Sequence, residues 1–550
     1  MLINLQNITK TIGAKTLYRD LNITIQPGER VGLIGRNGLG KTTLLNIMAG
    51  ADTDFSGQID RRRGLIVAST AQEHHGLADR PVLEYILENL PEYAQLKQII
   101  DTYPEIMGDD MAKIGAYTDA LTRFGELGYY DIEQKARAEL ATFQMPDSRI
   151  DAKMGELSGG QKRFVELVKV TLSDADLALI DEPTNHMDYV SKAEFIKWLD
   201  NAERSVVVVT HDRDVLAHVD RIVDMKAGGL VSFPGNYEAY LAQNGSATAK
   251  EIDTYENAQK RLVKIEKQIR DARARKTGWS GTADKTNPFM LLEKRLSKER
   301  DELLANAKRP DFWIDQETIE GMQDKVVAKY GKYKSRNIRL RTGGEHRARQ
   351  LLAVEDLSLG YTRPLFSGLN FDLAVGERLQ VRGRNGVGKS TLTQAILAAA
   401  AASPLRSTAF AGQIVVNPKA VIGVYEQEID EKYLRLPLGV AIREAYDEVG
   451  VPINDQKVRA VLADYLFDPQ QDGRLEIERL SGGQKARFQL VKMLAANPNI
   501  LILDEPTNHL DLPSIEELEQ ALGRYQGAIL YISHDSYFAA SVGGDTLAIN

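Results

Sequence analysis

Two pairs of adjacent acids close short apolar runs in this 550-residue chain: Asp181-Glu182 after 177-LALI-180, and Asp504-Glu505 after 501-LIL-503. Acids at the ends of apolar strands can divide two tasks, one holding a divalent cation and its neighbour orienting or deprotonating a water. The competing reading is an acidic first turn of a helix, since EPTN can begin one. Upstream, GRNGLGKT at 35–42 and GRNGVGKS at 383–390 fit GxxxxGK[ST]. Each follows an apolar stretch such as 30-RVGLIG-35 and precedes a helical one such as TTLLNIMAG, the context a phosphate loop requires. The glycines let backbone N–H groups turn towards phosphate oxygens, and a helix start adds a favourable dipole.

These patterns nominate residues. One phosphate cradle comprises Gly35, Arg36, Asn37, Gly38, Leu39, Gly40, Lys41, Thr42 and Thr43; the other comprises Gly383, Arg384, Asn385, Gly386, Val387, Gly388, Lys389, Ser390 and Thr391. Lys41 and Lys389 are expected to reach the β- and γ-phosphates of a bound nucleotide. The hydroxyls of Thr42 and Ser390 join Asp181 and Asp504 around Mg²⁺. Glu182 and Glu505 are the expected catalytic carboxylates.

The elements behind these residues occur twice. LSGGQ at 157–161 returns at 480–484, LALIDEPTNHMD as LILDEPTNHLD, and THD at 210–212 as SHD at 533–535. Ser158 to Ser481, Glu182 to Glu505 and His211 to His534 are all 323 residues apart. Equal offsets over separate motifs mean two domains of one topology. Lys41 to Lys389 is 348, because Gln72 and Ser158 are 86 apart whereas Gln427 and Ser481 are 54 apart. The first copy therefore carries an insertion at about 76–150, read as a helical arm from 82-VLEYILENL-90 and 133-EQKARAELATF-143. The expected domains are 1–244, a linker at 245–350, and 351–550.

The linker differs in character. The whole chain is −8, but 250–350 holds 25 Lys+Arg against 16 Asp+Glu, leaving −17 for the rest. Leu262, Ile265, Ile269 and Ala272, then Leu292 and Leu296, recur at helical spacing. Between them 276-KTGWSGTADKTNP-288 has loop composition, so an antiparallel helical hairpin with its tip near Trp279 is expected. A further helix is expected after 311-DFWIDQE-317. A chain without cysteine has no disulfide and no zinc site built on Cys. MLINLQNITKTIG lacks the pattern of a signal peptide. Apolar stretches such as 205-SVVVVT-210 and 395-AILAAAAA-402 fall short of the ~18 residues that span a bilayer. A cytoplasmic protein with no membrane insertion is expected.

LSGGQ, present twice, resembles the signature of ATP-binding-cassette ATPases. DEPTNH in both copies, the tandem layout and the charged linker resemble the ABC-F branch. The resemblance implies an α/β fold of two P-loop cassettes, with the helical arm in the first and the hairpin between them. It implies an ATPase using ATP and Mg²⁺, in a monomer whose cassettes close head-to-tail. Ser158, Gly159, Gly160 and Gln161 would then face Lys389, and Ser481, Gly482, Gly483 and Gln484 would face Lys41. It also implies His211 and His534 as γ-phosphate contacts, and Gln72 and Gln427 as Mg²⁺ and water sensors. Tyr361 would stack on adenine; the first copy departs from the pattern with Ile12 there. ABC-F proteins bind the ribosome, so ribosomal RNA and tRNA are the implied partners of the linker. Its contact candidates are Arg273, Arg275, Lys276, Trp279, Lys285, Lys294, Arg295 and Lys298. The linker does not closely match the housekeeping translation factors, which inclines the reading to antibiotic protection. The rivals are an ATPase subunit for a separate membrane transporter, a DNA-repair ATPase and a non-catalytic clamp.

Overall fold

In the computed structural model, residues 1–549 are described apart from 14, 72–75, 186, 227–228, 245–260, 263, 266–267, 270, 272–287, 307–349, 402, 405–406, 427–428, 466, 470, 481 and 509. The chain divides into two compact units. One joins Met1–Tyr237 with Ile338–Asn550, and the other is Glu238–Asn337.

The first unit holds two α/β bodies of matching topology, as expected from the repeat. In the first, a six-stranded sheet runs in the order Val67–Ser69, Leu177–Asp181, Ser205–Val209, Arg30–Gly35, Arg221–Lys226, Gly229–Pro234. The first five strands are parallel. In the second body the order is Ile422–Tyr425, Ile500–Asp504, Ala528–Ile532, Arg378–Arg382, Asp545–Ala548. Helices cover both faces of such sheets, which is why their central strands read as unbroken apolar runs. Every residue of Leu177–Asp181, Ser205–Val209 and Ala528–Ile532 is buried. Each body also carries an antiparallel three-stranded sheet, Lys15–Ile25, Ile3–Ile12, Ser56–Arg61 in the first and Pro364–Ala374, Gln350–Gly360, Thr408–Val416 in the second.

This strand order positions the chemistry. In the first sheet Ser205–Val209 lies between Leu177–Asp181 and Arg30–Gly35. The acid pair, the loop with His211 and the phosphate loop therefore emerge side by side at the carboxyl edge, where ligands bind in parallel sheets. The second sheet repeats the arrangement, with Asp504 paired to Ile532.

Within 76–150 the chain is helical: Val82–Glu88, Tyr93–Ile106, Met111–Glu126 and Ile132–Thr142. Tyr93–Ile106 and Met111–Glu126 pack on each other around Leu96, Ala120 and Phe124, and Tyr129 meets both Tyr93 and Phe124 edge-on. In the second unit, Ile265 and Ile269 pack with Leu296 of the helix Pro288–Asn306, and Arg261 pairs with Glu299 at 2.7 Å. Leu292, expected on the same stripe as Leu296, is instead exposed. Ala272, the loop around Trp279 and the helix expected after 311–317 lie outside the described residues.

Candidate active site

Lys41 and Lys389 begin the helices Lys41–Ala49 and Lys389–Ala400 and are buried at the sheet edge. Lys41 Nζ donates to Gly35 O at 2.7 Å, and Lys389 Nζ donates to Gly383 O at 2.7 Å. Burial lowers both ammonium pKa values, against the pull of Glu182 on Lys41 and of Glu505 on Lys389. Each loop wraps back on its own lysine.

Thr42 Oγ1 donates to Asp181 Oδ2 at 2.7 Å, and the Ser390 hydroxyl does the same to Asp504. Asp181 Oδ1 is buried and, among the described residues, has no hydrogen-bond partner. A hard cation takes such an oxygen beside a hydroxyl, so the pair fits Mg²⁺, which when bound neutralises phosphate charge. Gln72 and Gln427 lie outside the described residues.

Glu182 Oε1 is 3.5 Å from His211 Nε2, and Glu505 Oε1 is 3.0 Å from His534 Nε2. Desolvation pushes the Glu182 carboxyl up to about 8 and that of Glu505 up to about 7. Burial drives His211 well below its ordinary value and His534 down to about 3, so both rings are neutral near pH 7. Both nitrogens of His211 and Nδ1 of His534 are buried without a hydrogen-bond partner among the described residues. A neutral imidazole can donate to a phosphoryl oxygen, and a glutamate whose proton affinity is raised by desolvation takes a proton from water in its ionised form.

Ser158 caps the helix Gly159–Leu172, with its Oγ accepting from Gln161 N and its own N–H donating to Gln161 Oε1. The Gln161 amide is thus engaged in the cap, and Ser158 and Gly159 are exposed. Gly482 and Gly483 begin the matching helix Gly482–Leu494, and Gln484 donates to Asp472 at 3.1 Å; Ser481 lies outside the described residues. Ile12 and Tyr361 sit at equivalent hairpin turns and both are exposed. Of the linker candidates, Lys294, Arg295 and Lys298 are exposed on Pro288–Asn306; Arg273, Arg275, Lys276, Trp279 and Lys285 lie outside the described residues.

Sequence reasoning missed the residues that join the two sites. Asp188 caps the helix Tyr189–Asp200 through Oδ1, which accepts from Ser191 N at 2.8 Å. Its Oδ2 accepts from Asn385 N in the opposite phosphate loop at 3.0 Å. Asp511 repeats this, capping Leu512–Gly523 through Oδ1 and accepting from Asn37 N through Oδ2 at 3.3 Å. The signal was available: both copies end DEPTNHxD in Asp. A cavity of about 330 Å³ spans the interface and is lined by Asn37, Glu182, His211, Lys389, Glu505 and His534, among others.

Comparison with known proteins agrees with this geometry. A family model described as ABC transporter matches residues 18–185 and 366–508, and a second with the same description matches 223–301. The chain is similar to the probable ATP-binding protein YbiT of Escherichia coli O157:H7, at 30% identity over 559 residues, 100% of this chain and 96% of that one. It is 28% identical to ABC transporter F family member 5 of Arabidopsis thaliana, over 98% of this chain and 74% of that one. An archaeal ribosome recycling factor, solved in complex with an archaeal ribosomal stalk protein, has the same fold, with a TM-score of 0.56 at 15% identity over 98% of this chain and 87% of that one.

Proposed function

We propose a function from one premise: this chain belongs to the ATP-binding-cassette family, in its ABC-F branch, and hydrolyses ATP. On that premise it is a ribosome-associated ATPase whose two cassettes close over two ATP molecules, closure setting the shape that the linker presents. The reciprocal bonds of Asp188 to Asn385 and Asp511 to Asn37 carry this reading. Each phosphate loop is completed from the other half, so nucleotide occupancy and the relation of the halves are one equilibrium. ATP shifts that equilibrium only by binding the closed form better than the open one.

The Ser158–Gly160 turn, exposed at Ser158 and Gly159, closes towards the nucleotide at Lys389, and the turn at 481–483 towards Lys41. Glu182 and Glu505 activate the attacking water, and His211 and His534 contact the γ-phosphate. Asp181 and Asp504, with Thr42 and Ser390, hold Mg²⁺, with Gln72 and Gln427 beside it. Tyr361 stacks on adenine at the second site.

Three features support the ribosome as partner. A relative is named as an F family member, and a protein of the same fold is titled a ribosome recycling factor. Among the described residues no helix is long and apolar enough to cross a membrane. The linker is basic on an otherwise acidic chain, and Lys and Arg on such an element bind RNA phosphates by releasing counterions. The linker thereby contacts ribosomal RNA and tRNA through the residues named above, with Trp279 stacking on a base. Within this reading the chain protects ribosomes from an antibiotic.

Sedimentation with ribosomes tests the proposal. With both Glu182→Gln and Glu505→Gln, ATP should hold the protein on ribosomes, whereas the unaltered chain with ATP should release. A double variant that turns over ATP at the normal rate, or stays off ribosomes with ATP bound, refutes it. A drug-susceptibility panel with and without the chain then tests protection.

A further inference from the structure

The two sites are built alike but held differently. At the second site the loop carrying His534 is gripped by the first cassette. Lys192, 7% exposed, donates to the backbone carbonyl of His534 at 2.5 Å while paired with Asp212 and Asp214 of its own cassette. One turn earlier on the same helix, the Tyr189 ring lies 6.4 Å from the His534 ring, and the Arg382 guanidinium sits 4.5 Å from the Tyr189 ring centre. Asp214 accepts from Ser536 N at 3.3 Å and from its hydroxyl, tying down the residues that follow His534.

The offset of 323 assigns the counterparts at the first site. Tyr189 corresponds to Leu512, Lys192 to Ile515 and Asp214 to Tyr537, while Arg382, by the upstream offset of 348, corresponds to Ile34. Leu512, Ile515 and Ile34 are buried apolar side chains that can supply neither an ammonium donor nor a cation–π contact. Asp188 and Asp511 are alike in both halves; the difference centres on one face of the helix Tyr189–Asp200, where residues 189 and 192 project together, with Asp214 and Arg382 beside it.

We infer that Lys192 and Tyr189 are positioning residues for hydrolysis at the second site, fixing the backbone of its histidine loop from across the interface. His534 is then set against Glu505 and Lys389 only while the halves are together: its Nε2 is 3.0 Å from Glu505 and 3.1 Å from Lys389 Nζ. Among the described residues no such donor reaches the His211 carbonyl; its loop is held across the interface two residues on, where Arg213 pairs with Glu519 and Asp535. Closure thereby acts on the second histidine through its own carbonyl, and on the first only through Arg213. This inference rests on the ATPase reading above.

The test uses the full chain with one site disabled at a time. In a Glu182→Gln parent only the second site turns over; in a Glu505→Gln parent only the first does. Adding Lys192→Met should lower kcat about tenfold in the first parent, with KM for ATP moving less, and change the second parent far less, because small misplacement of an aligned group costs rate before binding. Lys192→Arg should restore most of the rate, and Tyr189→Leu, which copies the other half, should share the defect. Backbone hydrogen exchange without nucleotide gives a readout independent of turnover. Residues 532–538 should exchange faster in Lys192→Met and in Tyr189→Leu, and 209–215 should be unchanged in Tyr189→Leu, which leaves Lys192 paired with Asp212 and Asp214, with thermal unfolding reporting that both chains remain folded. Equal loss of rate in both parents, or unchanged exchange at 532–538, overturns the inference. Should the parents hydrolyse like the unaltered chain, the catalytic assignment fails instead, and exchange alone decides the grip.

Discussion

Glu182 and Glu505 stand in left-handed backbone, at φ 43° and 48°. This conformation costs about 1–2 kcal/mol for a residue with a side chain, and it persists where the surroundings over-determine it. Here the determinant is the last rung of the sheet: Glu182 N donates to Val209 O at 2.8 Å and Glu505 N to Ile532 O at 3.0 Å. The turn carries each carboxylate off its strand towards the histidine loop beside it. The acids were legible from their type and place, but their strain was not, because Glu carries no local signal for positive φ. Glycine does carry that signal, and the phosphate loop allows a discriminating prediction. Gly38 and Gly40 have φ of 81° and 94°, but a Cβ on Gly38 would meet nothing within 4 Å. One on Gly40 would lie 2.9 Å from the buried Tyr18 ring. Gly38→Ala should therefore cost only the backbone strain of about 1–2 kcal/mol. Gly40→Ala should cost more, with Lys41 displaced and nucleotide affinity reduced. Thermal unfolding without nucleotide and a binding titration check both; equal destabilisation by the two would refute the steric argument.

At the scale of elements, the central strands were plain because residues buried on two faces form unbroken apolar runs. The helical character of 76–150 could be read from repeat arithmetic and periodicity, but its packing could not. Tyr93, Phe124 and Tyr129 find one another across loops whose geometry no pattern records. Leu292 shows the opposite failure, an apolar residue at helical spacing that the fold leaves exposed. The helix Gly159–Leu172 separates local from functional roles. Its capping box satisfies backbone N–H groups at the turn proposed to meet a γ-phosphate. Ser158→Ala removes the cap acceptor and should cost about 1 kcal/mol. Ser158→Asp keeps an acceptor that caps equally well, so stability should hold, but it sets a negative charge where phosphate is expected. Stability loss confined to the alanine variant, with loss of ATP turnover at the second site in the aspartate variant, is the expected pattern. Normal turnover with aspartate would place that turn away from nucleotide.

At the scale of the molecule, what escaped the sequence is what breaks the repeat. Motifs present twice announce themselves through their offset; a residue with a role in one copy alone does not. Arg213 is such a residue, since Ser536 stands at its counterpart. It is 1% exposed, and it crosses the interface to Glu519 at 2.5 Å and Asp535 at 3.1 Å. Asp535 also caps the helix Ser536–Val542 through Phe538 N. The guanidinium pKa is raised well above its ordinary value by Asp535 and Glu519, against desolvation, so the charge is permanent. Bringing three charges out of water is costly, and their mutual attraction roughly offsets that cost rather than exceeding it. Removing one partner is different, because it leaves buried carboxylates without their cation. Arg213→Ala should therefore destabilise the paired cassettes by about 3–5 kcal/mol. Arg213→Met together with Glu519→Leu removes a charge from each side and fills the volume, leaving only Asp535, so it should recover part of the loss. Urea unfolding of the full chain measures both. If the double variant is as unstable as Arg213→Ala, the cluster holds the halves together through net attraction, and the balance of desolvation against pairing argued here is wrong.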